Sequence, residues 1–238
     1  MSRGRTRAVV LAAARAEKLI FDSISVDLSA SAVYSMSWKV SMVQFEKIVQ
    51  ALNWLARRNG GHIGKLKAMK LVFFADRYHL RKYGRTVTED EYWAMRYGPV
   101  PSVTKEVAAM TRVDEGAEYA RRYIAADAPN GKPRVVSLAA VDETMLSDSD
   151  VEALEFAWTT FSSRHDLVAL THAYPEWAEH QAAIETKSAA RRRMNLERFL
   201  DDPPPGHDPC HPLSPKERNA TRALIRERQQ VLDVLGQG

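Results

Sequence analysis

The chain has 238 residues, of which 45% are hydrophobic and 27% are charged, and its formal net charge is +4. This length and apolar content are enough for one domain with extensions or for two small domains. The single cysteine, Cys210, excludes an intramolecular disulfide framework and is typical of a reducing compartment, so we expect a cytoplasmic protein. No apolar run approaches the roughly 20 residues that a membrane-spanning helix needs, and we expect no membrane partner.

Charge is distributed unevenly along the chain. Residues 43–112 contain 13 Lys or Arg against 6 Asp or Glu, whereas residues 113–166 contain 5 against 11. A basic half of this kind fits either nucleic acid or an acidic protein, although charged runs usually face water.

The first 42 residues differ from the rest of the chain. Three arginines precede a short apolar stretch that Arg15 closes, and the following segment is rich in serine. The apolar stretch is at the short limit for a signal peptide and has no convincing processing site after it. We therefore expect residues 1–42 to be a flexible N-terminal arm or an extension of the start.

Two helices are predicted next. Apolar residues recur at helical spacing from Val43, and Asn59-Gly60-Gly61 provides the stop. The helix from Leu66 to about Tyr83-Gly84 is apolar almost all round, which predicts the buried central helix of the fold. Beyond it, residues 85–97 have a mixed pattern that is extended in part. Gly98-Pro99 then forces a turn, and Ser102 is the expected N-cap of a short helix.

The second half of the chain alternates strand and helix signals. Residues 118–126 and 134–141 flank an Asn-Gly turn and predict a small antiparallel hairpin. Ser147 with Asp150 opens a helix that reaches Phe161, and two more helices are expected over residues 166–174 and 185–200. The predicted fold is therefore mainly α (α+β), a compact helical domain around a central buried helix with one small hairpin.

The C-terminal region divides into a break and a helix. Residues 201–214 contain three consecutive prolines and a glycine, and we expect a Pro-rich linker there. Ser214, Pro215 and Glu217 then form the expected start of a C-terminal helix over residues 215–238. The predicted organisation is an arm (1–42), a domain (43–200), a linker (201–214) and a helix (215–238).

No catalytic, cofactor or metal site is recognisable in the sequence. The glycine-rich residues 60–65 lack the spacing of a phosphate-binding loop, and Leu66 stands where a Ser or Thr is needed. His207, Cys210 and His211 are too few for a structural zinc site, and Cys210 lies outside any setting that would activate a thiol. We therefore expect a binding protein and not an enzyme, although triads assembled from distant positions escape sequence analysis.

Residues 66–101 contain the strongest candidates for a binding surface. Lys70, Arg77 and Arg81 stack along one ridge of the central helix. Trp93, Arg96 and Tyr97 are residue types enriched at interfaces, and a rigid Gly98-Pro99 turn presents them at little entropic cost. The alternative is that Trp93 and Tyr97 only cover the central helix. The predicted partner-binding residues are Lys70, Arg77, Arg81, Trp93, Arg96, Tyr97, Gly98 and Pro99.

Asp76 is the anomaly of the central helix, because its position falls within an apolar stripe. A buried carboxylate needs a partner, and the candidates are His79 or Lys65 on the same helix, or Arg96. We expect Asp76 to tie the helix to the Tyr97-Gly98-Pro99 loop, and a catalytic role is the lesser alternative.

Two groups of motifs resemble the Panacea domain of SocA-like antitoxins. The first comprises KAMKLVFFAD (67–76), EYWA (91–94) and YGPVP (97–101), and the second is LTHAYPEW (170–177). The resemblance spans about residues 43–200. It implies a largely helical, non-enzymatic antitoxin that binds a cognate protein toxin directly. SocA-type members are also linked to delivery of the toxin to an ATP-dependent protease. His172 and Trp177 are expected to join Asp76 as structural residues.

The alternative function is a nucleic-acid-binding transcriptional regulator that uses the basic central helix. It would employ Lys65, Lys67, Lys70, Arg77 and Arg81, with the arginines at 191–193 as an addition. Such binding depends steeply on salt concentration.

Overall fold

The computed structural model describes the backbone of residues 30–111 and 116–235, and side chains within residues 44–111 and 116–231. Residues 1–29 of the predicted arm and 236–238 of the predicted C-terminal helix lie outside the described residues. Residues 30–42, which the sequence assigned to the arm, form the start of the first helix.

The helices are α1 (Ala30–Arg58), α2 (Lys65–Tyr83), α3 (Ser102–Val107), α4 (Gly116–Tyr123), α5 (Asp148–Phe161), α6 (Leu167–His172), α7 (Pro175–Ala178), α8 (Gln181–Glu185) and α9 (Pro215–Leu235). The strands are β1 (His62–Gly64), β2 (Tyr92–Met95), β3 (Gly98–Pro101), β4 (Ile124–Asp127), β5 (Arg134–Ser137) and β6 (Arg192–Arg193). Short 3₁₀ turns lie at Pro129–Gly131, Glu143–Met145 and Leu196–Leu200. The predicted mainly α fold with small antiparallel sheets is confirmed.

Helix α2 is the centre of the core, as its sequence predicts. Phe73 and Phe74 are fully buried, and their rings contact aromatic side chains from several elements. The Phe74 ring stacks on Phe161 of α5 at 3.8 Å, and the Phe73 ring meets Phe199 edge-on at 5.5 Å. The helix ends at Gly84, whose φ of +78° is accessible to glycine and whose N–H donates to Leu80 O.

The first sheet has the strand order β1-β5-β4 and is antiparallel throughout. Strands β4 and β5 are the predicted hairpin, and β1 adds a strand that the sequence did not predict. Residues 116–123 form α4, so the prediction of a strand from residue 118 is wrong. The rings of Tyr119 and Tyr123 lie 4.8 Å apart, one helical turn along α4, and Ala117 and Ala120 are buried.

The second sheet has the strand order β3-β2-β6. Strands β2 and β3 form a tight hairpin in which Met95 pairs with Gly98 and Tyr92 with Pro101. Strand β6, the following 3₁₀ turn and irregular residues stand in place of the helix predicted over residues 185–200, so that prediction is wrong. The chain leaves α8 through Lys187 at a φ of +57°, a conformation that cannot continue a helix.

Helix starts follow the predicted capping chemistry at α5 and α9. At α5, Ser147 and Asp150 form the reciprocal capping box. At α9, the Glu217 carboxylate accepts hydrogen bonds from the backbone and hydroxyl of Ser214 at 2.8 and 2.7 Å. The predicted Ser102 cap of α3 is wrong, since Ser102 is already the first helical residue.

Residues 201–214 pack against the body of the domain. The Cys210 side chain is fully buried, Tyr174 Oη donates to the Asp208 carbonyl at 2.8 Å, and Arg81 Nε donates to the His211 carbonyl at 2.6 Å. The expectation of a flexible Pro-rich connection is therefore wrong for this tract. Within the described parts of the chain, no helix is long and apolar enough to cross a membrane.

Candidate partner-binding site

The second sheet has one buried and one outward face. Tyr92 and Ala94 of β2 are buried towards the core, whereas the alternate residues Trp93 and Met95 are partly exposed. This alternation follows from the two-residue period of a strand. Trp93 therefore points away from the buried side of the sheet, and the alternative that it covers the central helix does not hold.

Arginines surround the aromatic side chains on the outward side. Trp93 lies opposite Arg193 in the ladder, and the Arg191 guanidinium carbon is 4.4 Å from the Trp93 ring centroid. In the β2–β3 turn, the Arg96 guanidinium is 5.6 Å from the ring of Tyr97, which is 59% exposed. We call this set the outer face: Trp93, Arg96, Tyr97, Arg191 and Arg193.

The outer face is electropositive. Arg193 forms an ion pair with Glu91 at 2.6 Å. Neither Arg96 nor Arg191 has a carboxylate within ion-pair distance among the described residues, and each lies over an aromatic ring instead. Cation–π pairing holds such guanidiniums in place without neutralising them. The arrangement suits a partner that presents carboxylates and apolar groups together.

The predicted basic ridge of the central helix is buried, which corrects the expectation that it forms part of the surface. Lys70 and Arg77 are fully buried, and Arg81 is 2% exposed. Side chains with no exposed area cannot contact a partner in this fold. The same burial removes three of the five central-helix cations on which the nucleic-acid alternative depends.

Lys70 lies beneath the β2–β3 hairpin. Its Nζ donates to the Pro99 carbonyl at 3.0 Å, and burial lowers its pKa to about 7. Gly98 has a φ of +95°, and a Cβ there would lie only 2.6 Å from Lys70 Nζ and from Thr171 Oγ1. Gly98 and Pro99 are therefore structural parts of a close approach between hairpin and helix, and both are buried.

Arg77 and Arg81 hold the chain segment that follows the 3₁₀ turn. Arg77 pairs with the fully buried Glu176 of α7 and donates to the Asp201 carbonyl. Arg81 donates to the Phe199 carbonyl at 3.1 Å and to the Asp202 carboxylate at 2.5 Å. Burial raises the pKa of Glu176, while the Arg77 charge opposes that rise.

Asp76 has partners other than those predicted. Its carboxylate accepts hydrogen bonds from the Thr88 backbone N–H at 2.9 Å, from the Thr88 hydroxyl and from the Tyr92 hydroxyl at 2.7 Å. Asp76 therefore ties α2 to the segment that leads into β2, and the expectation of a link to the Tyr97-Gly98-Pro99 loop is wrong. Burial raises the pKa of Asp76 to about 6, although these hydrogen bonds favour its ionised form.

His172 and Trp177 stack on each other with ring centroids 3.6 Å apart and an interplanar angle of 3°. Trp177 is buried and its Nε1 donates to the Met95 carbonyl at 3.0 Å. Burial, followed by the Lys70 charge, lowers the pKa of His172. The stacked pair supports the inner side of the β2–β3 turn, opposite the outer face.

Sequence reasoning missed Asp90, which connects the hairpin to α3. Its carboxylate accepts hydrogen bonds from the backbone N–H groups of Val103 at 3.0 Å and Thr104 at 2.7 Å. The Asp90 carboxylate therefore caps the N-terminus of α3, the role that the sequence predicts for Ser102. The only signal was an Asp at a mixed-pattern position, which does not reveal a partner 13 residues away.

Cys210 and its histidine neighbours do not form a metal centre in the structure. No group of three or more potential ligands is found among the residues whose side chains are described. Burial raises the pKa of the Cys210 thiol to about 12, so the thiol stays protonated at neutral pH.

The comparison with family models supports the sequence resemblance. The model described as antitoxin SocA-like, Panacea domain, matches residues 68–178. The matched region contains β2, β3 and the stacked pair, but not β6 or α9. No match was found among curated proteins or among solved structures.

Proposed function

We propose that this chain, whose residues 68–178 form a SocA-like Panacea domain, is the antitoxin of a toxin–antitoxin pair. It acts in the cytoplasm and neutralises a cognate protein toxin by binding it directly. The family description supports the antitoxin role. The outer face supports the mode of binding, since a rigid hairpin presents two aromatic side chains, and neither Arg96 nor Arg191 beside them has a carboxylate within ion-pair distance among the described residues.

The observation that carries this proposal is the contrast between the two sides of the second sheet. On the inner side, a Cβ added at Gly98 would lie 2.6 Å from both Lys70 Nζ and Thr171 Oγ1, so these side chains would have to move. On the outer side, Tyr97 is 59% exposed and Arg191 lies over Trp93. A firmly supported hairpin loses little conformational entropy when a partner binds to its outer side. The entropic cost of binding there is therefore small, and the contacts contribute more to the affinity.

Co-expression with the product of the neighbouring gene tests the proposed function. We expect that product to stop growth when expressed alone, and growth to return when this chain is expressed beside it. The two proteins should also elute together in size-exclusion chromatography. If the neighbouring product is harmless, or stays toxic without forming a complex, the antitoxin proposal for this gene pair is wrong.

Simultaneous replacement of Trp93 and Arg191 by alanine tests the outer face. We expect the double variant to bind the toxin more weakly by about 2–4 kcal/mol, the usual range for interface anchors. The affinity is measured by isothermal titration calorimetry, and circular dichroism confirms the fold.

A matched control removes a comparable pair elsewhere on the surface. Lys67 Nζ lies 5.1 Å from the Trp158 ring centroid, and neither residue belongs to the outer face. The Lys67→Ala/Trp158→Ala variant should bind the toxin as the parent chain does. Equal affinity of the folded Trp93→Ala/Arg191→Ala variant would exclude the outer face as the anchor.

The fate of the toxin distinguishes the two modes of neutralisation. If the antitoxin masks the toxin, the toxin level stays constant after synthesis is blocked. If the antitoxin delivers the toxin to an ATP-dependent protease, the level falls only in cells that contain both this chain and the protease. Masking is the mode we propose, because the outer face provides a binding surface.

A further inference from the structure

A cleft of about 590 Å³ separates β6 from α9. Met194 and Leu196 line one wall of the cleft, and Ile225, Gln229 and Gln230 line the other. Its volume falls within the roughly 300–1,000 Å³ typical of ligand clefts. The cleft lies beside the outer face, because β6 contributes Arg193 to both.

Strand β6 is the outermost strand of the second sheet, and its other edge is free of strand pairing among the described residues. It pairs with β2 on one side only, with Arg193 opposite Trp93 and Arg192 opposite Ala94. Met194 N–H donates to the Tyr92 carbonyl at 2.9 Å, so the backbone groups of Met194 point towards β2. Because these directions alternate along an antiparallel strand, the N–H and C=O of Arg193 point away from β2.

The surroundings of the cleft are electropositive. The carboxylate in its lining, Glu197, accepts hydrogen bonds from Nε and Nη2 of Arg226, each at 2.7 Å, and Arg222 Nε lies 3.5 Å from it. Arg191 and Arg192 are exposed next to the cleft, and neither has a carboxylate within ion-pair distance among the described residues. An incoming carboxylate would therefore find unpaired guanidiniums, whereas an incoming cation would not find a free carboxylate in the lining.

We propose that this cleft binds an extended acidic segment of a protein partner, which joins the free edge of β6 as an additional strand. A strand edge facing a helix is a recurring peptide-binding arrangement, in which backbone hydrogen bonds supply affinity and alternate side chains supply specificity. Apolar side chains of the segment would contact the partly buried Leu196 and Ile225. The acidic side chains between them would lie on the side of the sheet where Arg191 stacks on Trp93.

The inference rests on the proposed function only in identifying the partner as the toxin. The probe is therefore a short fluorescein-labelled peptide that alternates glutamate with valine, and its binding to the full chain is followed by fluorescence anisotropy at low salt. We expect the peptide to bind, and a peptide that alternates lysine with valine not to bind. Binding of both peptides alike, or of neither, would overturn the proposal.

Two substitutions at one residue separate backbone from side-chain recognition. Arg193→Pro removes the free N–H without removing a bond to β2, since proline is tolerated on the open side of an edge strand. We expect it to weaken peptide binding about tenfold, the equivalent of one hydrogen bond of about 1.4 kcal/mol. Arg193→Ala keeps the N–H and should weaken binding only slightly, because Glu91 already neutralises that arginine.

A second variant, on the opposite wall of the cleft, leaves β6 unchanged and so tests the proposal even if Arg193→Pro disturbs the fold of β6. Gln230→Trp places a large ring on the exposed surface of α9 that lines the cleft, and it should abolish peptide binding. Equal binding by the Arg193→Pro and Arg193→Ala variants, or undiminished binding by a folded Gln230→Trp variant, would overturn the proposal. If the chain binds the peptide but does not bind the toxin, the cleft proposal stands and the proposed antitoxin function is wrong.

Discussion

The cations of α2 show that a charged residue on a helix ridge need not face solvent. Lys70, Arg77 and Arg81 each donate to at least one main-chain carbonyl of a segment packed on the helix. A carbonyl satisfies a donor but does not neutralise its charge, so burial remains costly unless a carboxylate is also present. Arg77 has Glu176 and Arg81 has Asp202, whereas the ammonium of Lys70 has, among the described residues, only the Pro99 carbonyl as a hydrogen-bond partner.

Lys70 should make the stability of the protein depend on pH. Its folded-state pKa is about 7, against the model-peptide value of 10.5 expected when the chain is unfolded. Between these values the unfolded chain binds more protons, so the free energy of unfolding should rise with pH, by up to about 1.4 kcal/mol per pH unit.

Urea unfolding at pH 7, 8 and 9 measures this dependence. The Cys210 thiol acts in the opposite direction at higher pH, because burial raises its pKa to about 12 and the folded chain then keeps a proton that the unfolded chain loses. The comparison therefore stops at pH 9. The Lys70→Met variant should lack most of the rise, and parallel curves for the variant and the parent would refute the assignment to Lys70.

The buried pair of Arg77 and Glu176 should be costly to break and much less costly to replace. Glu176→Leu leaves the guanidinium buried without its carboxylate and should lower the free energy of unfolding by about 3–5 kcal/mol. Replacing both partners, as Arg77→Met/Glu176→Leu, should cost less than the two single changes added together. Urea unfolding of the four proteins gives the coupling energy, and simple additivity would contradict the ion-pair assignment.

At the scale of elements, the sequence predicted those helices whose start or burial is set by residues close together in the chain. Ser147 and Asp150 opened α5 as expected, and the all-round apolar pattern identified α2 as the central helix. The sequence also required a partner for Asp76. It could not identify Thr88 and Tyr92 as the partners, because they lie in a segment with no periodic pattern and their contact depends on the packed fold.

The elements that were missed depend on tertiary contacts. Strand β6 has two residues, and it exists because Arg192 and Arg193 pair with β2, about 100 positions earlier in the chain. No window of sequence around residue 192 contains that information, so the run of arginines and apolar residues there predicts a helix by its local pattern alone. The outer face was predicted in part through Trp93, Arg96 and Tyr97, but Arg191 joins it only through the same long-range pairing.

At the scale of the whole molecule, the chain beyond the matched Panacea region contributes to the core. The match ends at residue 178, yet Phe199, Leu200 and Cys210 are fully buried among core residues. Helix α9 is attached differently, since ion pairs such as those of Arg218 with Asp202 and Arg226 with Glu197 join it to the body. Exposed ion pairs contribute little to stability, about 0–1 kcal/mol each.

Two truncations should therefore have very different effects. A chain that ends at Ser214 loses α9 with its surface ion pairs and the partly buried Ile225, and it should unfold cooperatively with a free energy lower by only a few kcal/mol. A chain that ends at Leu200 also loses the Asp201, Asp208 and His211 carbonyls to which Arg77, Tyr174 and Arg81 donate. Each buried donor left without an acceptor costs about 1–3 kcal/mol.

The chain that ends at Leu200 should lose more free energy of unfolding than the domain has, because single domains have a free energy of unfolding of only about 5–15 kcal/mol. The three lost carbonyl acceptors and the lost packing of the buried Cys210 side chain add together. The chain ending at Leu200 should therefore lack a cooperative thermal transition in circular dichroism. A cooperative transition close to that of the chain ending at Ser214 would show that residues 201–214 are dispensable, and the domain would then end where the sequence alone placed its boundary.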